Sequence, residues 1–469
     1  MKAKVENEEK WYEKIPHPVV ILFGIILLVT ILTYIIPAGS FQREVIDDKM
    51  RVIPGTYVLK DSKPVSILNM FKAIPLGFKT AAEIIFAVLA GGIMFGILEK
   101  TRMVENVIGT VIKRLGLKRR FLIVVIVTYI YGLLGVAVGY ENNIAMVPIA
   151  AVLGLALGGD LILAAGMSVG AITVGFGLSP INPYTVGVGH QIAEMPMFSG
   201  AIMRSVLCFT GLSALAYFNV RYFKRILEDP KKSKGTGLDT EGLALSKNIS
   251  QYSITPNNYL ILGIFLIGLV FMLFGIFQYG WYINEISSIF LMIAVAAGIC
   301  GGLGGKVISE TAFKSISIAA PGAFMVGYAT TIKVLLEMGE IADTICYKLA
   351  GLLTMIPSQL AAISMSAAQS CINLFIPSGS GQALATLPIM IPVGDLLGLT
   401  RQTTILAFQI GDGVTNLFNP TLGGLIAMLS LCRVPLDRWI RFIFPLAIAL
   451  LLISWVVLTI TVIIEWGPA

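Results

Sequence analysis

The sequence predicts an all-α polytopic membrane protein. It is built from two inverted-topology repeats, each with a re-entrant helical hairpin and a broken transmembrane helix. Three observations lead there. Apolar runs long enough to span a bilayer recur along the chain, lysine and arginine collect in alternate connections, and motifs of the first half return in order in the second.

The 469 residues are 56% hydrophobic and only 13% charged, with mean hydropathy +0.85. Soluble domains carry roughly twice that charged fraction. A bilayer core of about 30 Å asks for about 20 apolar residues per helix, whereas barrel strands would alternate over about 10. The first run, Val19 to Pro37, follows a polar leader at 1–18 and shows no small-residue cleavage site, so it reads as a retained helix. The net charge of +7 sits mostly in loops and bears on topology, not on nucleic acid. The five cysteines lack metal spacing and read as packing residues, and two histidines are too few for a histidine metal site.

The positive-inside rule then orders the elements. With a cytoplasmic N-terminus, the segment from Gln42 to Lys79 lies outside as a loop. Helix 80–98 returns to the strongly basic stretch "EKTRMVENVIGTVIKRLGLKRR" in the cytoplasm. A hairpin at 121–157, a broken helix at 161–198 and a helix at 201–220 complete a first repeat over 19–222. The polar segment 223–257 is a cytoplasmic linker, and a connecting helix follows at 258–279. The second repeat, 286–469, holds helices at 286–304 and 320–338, a hairpin at 359–394 and a broken helix at 402–430. Its arginines 433, 438 and 441 return to the cytoplasm, and a last helix leaves the C-terminus outside.

The repeat rests on paired motifs. "ILEKTRMVENVI" (97–108) matches "LLEMGEIADTIC" (335–346), "GLSPINPYTVG" (177–187) matches "VTNLFNPTLGG" (414–424), and Pro148 corresponds to Pro388. The charge rule puts the first copy's loop inside and its partner outside, so the copies are inverted, as in many secondary transporters.

Four polar interruptions lie inside apolar runs: "GYENN", "GLSPINPY", "IPSGSGQ" and "GVTNLFNP". Unpaired backbone groups are tolerated at membrane depth only inside protein or along a polar cavity. Pro180, Pro183 and Pro420 each remove a donor and bend the helix. Half-helix N-termini suit a carboxylate and C-terminal ends suit a cation. Two tips meeting two broken helices would enclose a small substrate. The asparagines and serines at the breaks serve equally well as caps, and the glycines of "IPSGSGQ" as turn formers. Glu141 and Asp412 are acids at predicted membrane depth, where a functional role is the default. The breaks contain no lysine or arginine, so the unbalanced charge invites a proton, a sodium ion or a cationic substrate group. Glu83, Lys333, Glu337 and Arg204 read as side chains reaching out to the interface. Asp395 and Arg401 read as an external pair, and His190 as packed within the protein.

"VGYENNIAMVP", "GFGLSPINPYTVG", "NLFIPSGSGQALATLPIM" and "FQIGDGVTNLFNPT" resemble the anaerobic C4-dicarboxylate carrier family of the ion-transporter superfamily. They are most similar to its branch of candidate basic amino-acid antiporters, of arginine/ornithine type. The resemblance spans nearly the whole chain. It implies a transporter with a scaffold and a moving substrate domain, commonly a homodimer, in the cytoplasmic membrane. The implied site maps to Glu141, Asn142, Asn143, Ser179, Asn182, Ser378, Gly379, Ser380, Gln382, Asp412, Asn416 and Asn419. No cofactor is expected beyond a coupling proton or sodium ion, the latter placed at backbone carbonyls near Asn143 and Ser380. Two acids and no base in the breaks favour a cationic amino acid moved by exchange or ion coupling, with a dicarboxylate as the alternative. An enzyme would need a nucleophile–base or metal constellation, and neither H-E-x-x-H nor a pair of neighbouring histidines occurs. A channel would need a filter repeated per subunit.

Overall fold

The computed structural model describes residues 18–467, apart from 47–48, 54, 354 and 357. The leader read at 1–18 therefore lies almost wholly outside the described residues. The chain is mostly helical, and seven helices among the described residues are long and apolar enough to cross a membrane. The shorter apolar helices include Glu141–Ala156 and Leu161–Gly177, which fall on the segments read as interrupted.

The all-α expectation takes one amendment. Gly39–Ser40 pairs antiparallel with Val58–Leu59, and Arg43–Ile46 with Lys49–Val52. In sequence Val45, Ile46, Val52 and Ile53 flank "DDK", a hairpin pattern that the loop reading passed over. The supposed loop also holds a helix, Ile67–Thr80, opened by Ser66, whose hydroxyl accepts from Asn69 N at 3.3 Å. Its Gly77 lies so close to Gly327 that a Cβ there would stand 2.7 Å from the Gly327 carbonyl oxygen. The basic stretch after Lys100 is likewise helical over Met103–Leu115, with Lys113 and Arg114 in its last turn, where cations suit the helix dipole.

The polar segments sort onto two opposite faces. On one, the segment 229–255 lies across the basic connections. Arg433 Nη1 donates to Asp239 at 3.1 Å, Lys234 Nζ to the Arg441 carbonyl at 2.5 Å, and Tyr252 OH to Glu105 at 2.5 Å. On the other, the ribbons meet the start of helix Ala342–Leu353. Arg43 pairs with Asp343 at 2.6 Å, Lys60 and Lys63 both pair with Glu340, and Tyr57 stacks on Tyr347 with ring centroids 4.2 Å apart. The two lysines hold the Glu340 carboxyl below its ordinary pKa. Segments assigned to one side of the membrane from charge thus touch each other.

The centre is built by two interrupted helices and two helical hairpins. The first interrupted helix runs through Leu161–Gly177, breaks, and resumes over 183–192. The second runs through Arg401–Thr415, breaks, and resumes as Gly423–Leu431. The hairpins pair Arg120–Val138 with Glu141–Ala156, and a helix over 358–373 with Gly379–Leu396. Glycine sets how closely they pack. Gly175 of "GFG" sits against the first hairpin, where a Cβ would stand 2.0 Å from the Gly132 oxygen. Gly411 of "GDG" sits against the second, 2.6 Å from the Ser366 oxygen by the same measure. Gly177 and Gly413 face one another across the two interrupted helices, each Cβ position 2.5 Å from the other's Cα. The two glycine pairs play matching parts in the two halves, a correspondence the paired motifs above do not include.

Because the obstacle is backbone, no rotamer change relieves it. Gly177→Ala and Gly413→Ala should each destabilise the protein by about 1–3 kcal/mol through overpacking. Gly263→Ala, with no atom within 4 Å of its added Cβ, should not. Thermal unfolding of the purified variants in one detergent checks this; equal midpoints for all three would contradict the close crossing.

Candidate functional site

The tip of the first hairpin is fixed by its own amides. Gly139 takes φ +105°, which favours glycine, and lets the chain turn into a short 3-10 segment over Glu141–Met146. Asn143 Nδ2 donates to the Gly139 carbonyl at 2.6 Å and to that of Leu134 at 3.3 Å. Tyr131 OH ties the helix behind to the Met146 carbonyl at 2.7 Å. Asn143 is therefore a turn former behind the tip, while half-buried Glu141 and buried Asn142 line the cavity. The carbonyl of Gly139 accepts this amide.

The second tip is simpler. Ser378 caps helix Gly379–Leu396, its hydroxyl accepting from Gly381 N at 3.3 Å, and Gly379, Ser380 and Gly381 form a first turn without bulky side chains. Both tips open into one cavity of about 270 Å³. Its lining includes Glu141 and Asn142 from one tip, Ser378, Gly379 and Ser380 from the other, and Asn416 from the second break. The start of helix Gly423–Leu431 also faces it, and no side chain caps that N-terminus. Two helix N-termini thus aim at one space, an arrangement suited to an anion.

The other expected site residues lie behind this surface. Asn182 caps the resumed first helix, accepting from Tyr184 N at 2.8 Å and donating to the Phe176 carbonyl at 3.1 Å. Ser179 accepts from Ile181 N at 3.2 Å, and its carbonyl takes Gln409 Nε2 at 2.7 Å, which ties one break to the other helix. Pro180 and Pro183 lie within and just after that break, and Pro420 follows Asn419 in the second. Gln382, Asp412 and Asn419 form one buried network around Asn373. The Asn373 amide donates to Asp412 Oδ1 at 2.8 Å and to Gln382 Oε1 at 3.1 Å, and Asn419 donates to the Asn373 carbonyl at 2.9 Å. Asp412 lies one glycine away from the cavity: a Cβ on Gly379 would stand 3.5 Å from Asp412 Oδ2.

Sequence reasoning missed the cation. Lys333, on helix Gly305–Met338, lines the cavity and pairs loosely with Glu337 at 3.8 Å. Its place in the run "ATTIKVLLEM", outside the four breaks, reads as that of a side chain reaching for the interface. Three tyrosines also line the space: Tyr140, Tyr184 and Tyr282. Tyr282 and Lys333 belong to the near ends of helices Ile283–Cys300 and Gly305–Met338, whose far ends reach Thr101 at Gly301 and the 229–255 segment at Lys314, which pairs with Glu241. The cavity therefore lies toward the side opposite that segment.

Arg204 corrects another expectation. It does not reach out to an interface but is fully buried. Nη1 donates to Gln402 and Ser199, both at 2.9 Å, Nε to Gln409 at 3.0 Å, and the guanidinium lies over Trp466. Amide and carbonyl oxygens replace the water at Nε and Nη1, while Nη2 is buried without a hydrogen-bond partner. His190 is also buried away from the cavity, accepting from Phe198 N at 3.0 Å as expected of a packed histidine. Asp395 and Arg401 pair at 3.5 Å on the surface. Among the described residues no group of three or more His, Cys, Asp or Glu could hold a metal ion.

Comparison with known proteins shows the family. Residues 15–463 match the family described as DcuC, C4-dicarboxylate anaerobic carrier. The chain is 28% identical to the Escherichia coli K12 protein named "Putative basic amino acid antiporter YfcC", over 94% of this chain and 95% of that one. It is 26% identical to an uncharacterized Haemophilus influenzae protein, over 95% and 97%. Solved structures similar to it are the Alcanivorax borkumensis YdaH transporter, at 16% identity and TM-score 0.42 over 97% of this chain and 100% of that one, and Neisseria gonorrhoeae MtrF, at 18% and 0.42 over 96% and 95%. The chain is a multi-pass membrane protein and belongs to the C4-dicarboxylate anaerobic carrier family of transporters.

Proposed function

We propose that this protein is a secondary transporter that exchanges basic α-amino acids across the cytoplasmic membrane by alternating access. The observation that carries the reading is the charge set around the cavity. Glu141 lines it and Asp412 lies one glycine behind, while Lys333 and two helix N-termini face the same space. A basic amino acid carries two cations and one carboxylate. Its carboxylate would meet Lys333 and the helix N-termini, and its amino and side-chain cations would meet the acids. A dicarboxylate would satisfy Lys333 but would set its second carboxylate against Glu141. The family's described substrate class keeps the dicarboxylate as the rival to be tested.

Alternating access follows from the inverted-repeat reading, in which the hairpins are re-entrant and each half contributes one tip and one interrupted helix. The glycine crossing supports it, since the halves touch there through the third residue of a shared G-x-G. With the N-terminus cytoplasmic and the C-terminus outside, the cavity would lie toward the outer side. The glycine-packed centre would move as the substrate domain, against a scaffold that includes the helix bearing Lys333, in a homodimer of the kind the family resemblance implies. A proton or sodium ion would serve as coupling ion.

In proteoliposomes, saturable arginine uptake that is stimulated by arginine on the far side is expected, with succinate neither transported nor competing. Saturable succinate uptake without an arginine response would overturn the substrate assignment. Glu141→Gln should lower arginine uptake by at least about tenfold, corresponding to the loss of a charge-assisted contact of about 1.5–3 kcal/mol, in a protein that still purifies as a single species. Lys333→Gln should chiefly raise KM. Unchanged kinetics in both variants would remove the two residues from the site.

A further inference from the structure

We infer a monovalent-cation site at the crossing of the two interrupted helices, fitted to sodium. Asp412 is its charged ligand, and Thr185, Thr415 and Asn416 supply neutral oxygens. Four buried side-chain oxygens in this region have no hydrogen-bond partner: Asp412 Oδ2, Thr185 Oγ1, Thr415 Oγ1 and Asn416 Oδ1. Asp412, Thr415 and Asn416 occupy the last turn and the C-cap of helix Arg401–Thr415. Thr185 arrives from the first interrupted helix. Gly379 packs between it and the acid, its Cβ position 2.6 Å from Thr185 Cγ2 and 3.5 Å from Asp412 Oδ2. A residue larger than glycine at 379 would fill the space between the two.

The chemistry of the orphans decides the ligand. All four are oxygens, and one belongs to a carboxylate. Hard cations take such oxygens, and the C-terminal end of a helix adds partial negative charge. A single proton on Oδ2 would satisfy one neighbouring acceptor and leave the rest, whereas a cation serves them all. One carboxylate balances one positive charge, which favours a monovalent ion. Asn373 holds Oδ1 at 2.8 Å and so keeps Oδ2 turned away from the Gln382–Asn419 network. Unpaired buried oxygens cost free energy, so their persistence as a group calls for a partner. The site is distinct from the backbone carbonyls near Asn143 and Ser380 considered from the sequence. Asn416 belongs to both this site and the cavity wall, so ion and substrate would share one side chain. That coupling rests on the transport reading above; the ion site itself does not.

The test titrates sodium chloride against the purified full-length protein, with N-methyl-D-glucamine chloride holding ionic strength constant. The apparent melting temperature should rise and saturate with sodium, as ligand linkage requires. Asp412→Asn should raise the half-saturating sodium concentration by about tenfold or more. Thr415→Val, which keeps the shape and deletes one oxygen, should raise it less, and direct binding of radioactive sodium gives the same order if Asp412→Asn is unstable. Glu310→Gln, an exposed change on helix Gly305–Met338, should leave the sodium response intact. A wild-type protein indifferent to sodium, a melting temperature that follows pH alone, or an unaltered response in both Asp412→Asn and Thr415→Val would each overturn the site. Arginine uptake separates the two proposals. Uptake without sodium binding sinks the ion site and spares the transporter, whereas sodium binding without arginine uptake does the reverse.

Discussion

The backbone contact between Gly177 and Gly413 holds the arrangement of the centre. Two helices can approach this closely only where neither carries a side chain, and here each is also interrupted nearby. Each break follows its glycine within a few residues, and each resumed segment turns its own polar atoms to the centre. Move the crossing apart by the width of a methyl group and Gly379 no longer packs between Thr185 and Asp412. The polar cavity is thus a consequence of glycine placement as much as of the polar residues in it.

Around that crossing the chain meets the cost of buried polarity in two ways. The first tip and first break are satisfied by local caps: Asn143 on Gly139, Asn182 on Tyr184 and Phe176. The second half uses a long-range network through Asn373 and leaves Asp412 with one oxygen open. The paired G-x-G motifs make the asymmetry visible, because Phe176 occupies in the first what Asp412 occupies in the second. One half presents an aromatic ring to the cavity where the other keeps an acid behind it.

Much of this was legible beforehand, for physical reasons. Charge bias grouped segments that the fold brings into contact, because a loop crosses hydrocarbon at great cost and its lysines and arginines record the side it stays on. The breaks were legible because proline, glycine and asparagine have no cheap place in a spanning helix unless something needs them. What escaped was whatever depends on partners distant in sequence. Lys333 lies in an ordinary apolar run, and only the tertiary fold brings it to Glu141. Arg204 looked like a boundary residue because its amide partners, Gln402 and Gln409, are some 200 positions away. Site residues such as Asn143 and Asn182 were rightly singled out as unusual, yet their local bonds give them the part of caps. The ribbons over 39–59 were lost to a bias toward reading any polar segment of a membrane protein as loop.

The central claim is that the two tips face one substrate chamber. In a cysteine-free background, Asn142→Cys and Ser380→Cys place single thiols on opposite walls of the cavity. The most direct measurement is the rate at which a membrane-impermeant thiol reagent modifies each in sealed vesicles, with and without arginine. Shared occupancy predicts that arginine slows modification at both positions over the same concentration range. Protection at one tip only, or at neither, would contradict a common chamber.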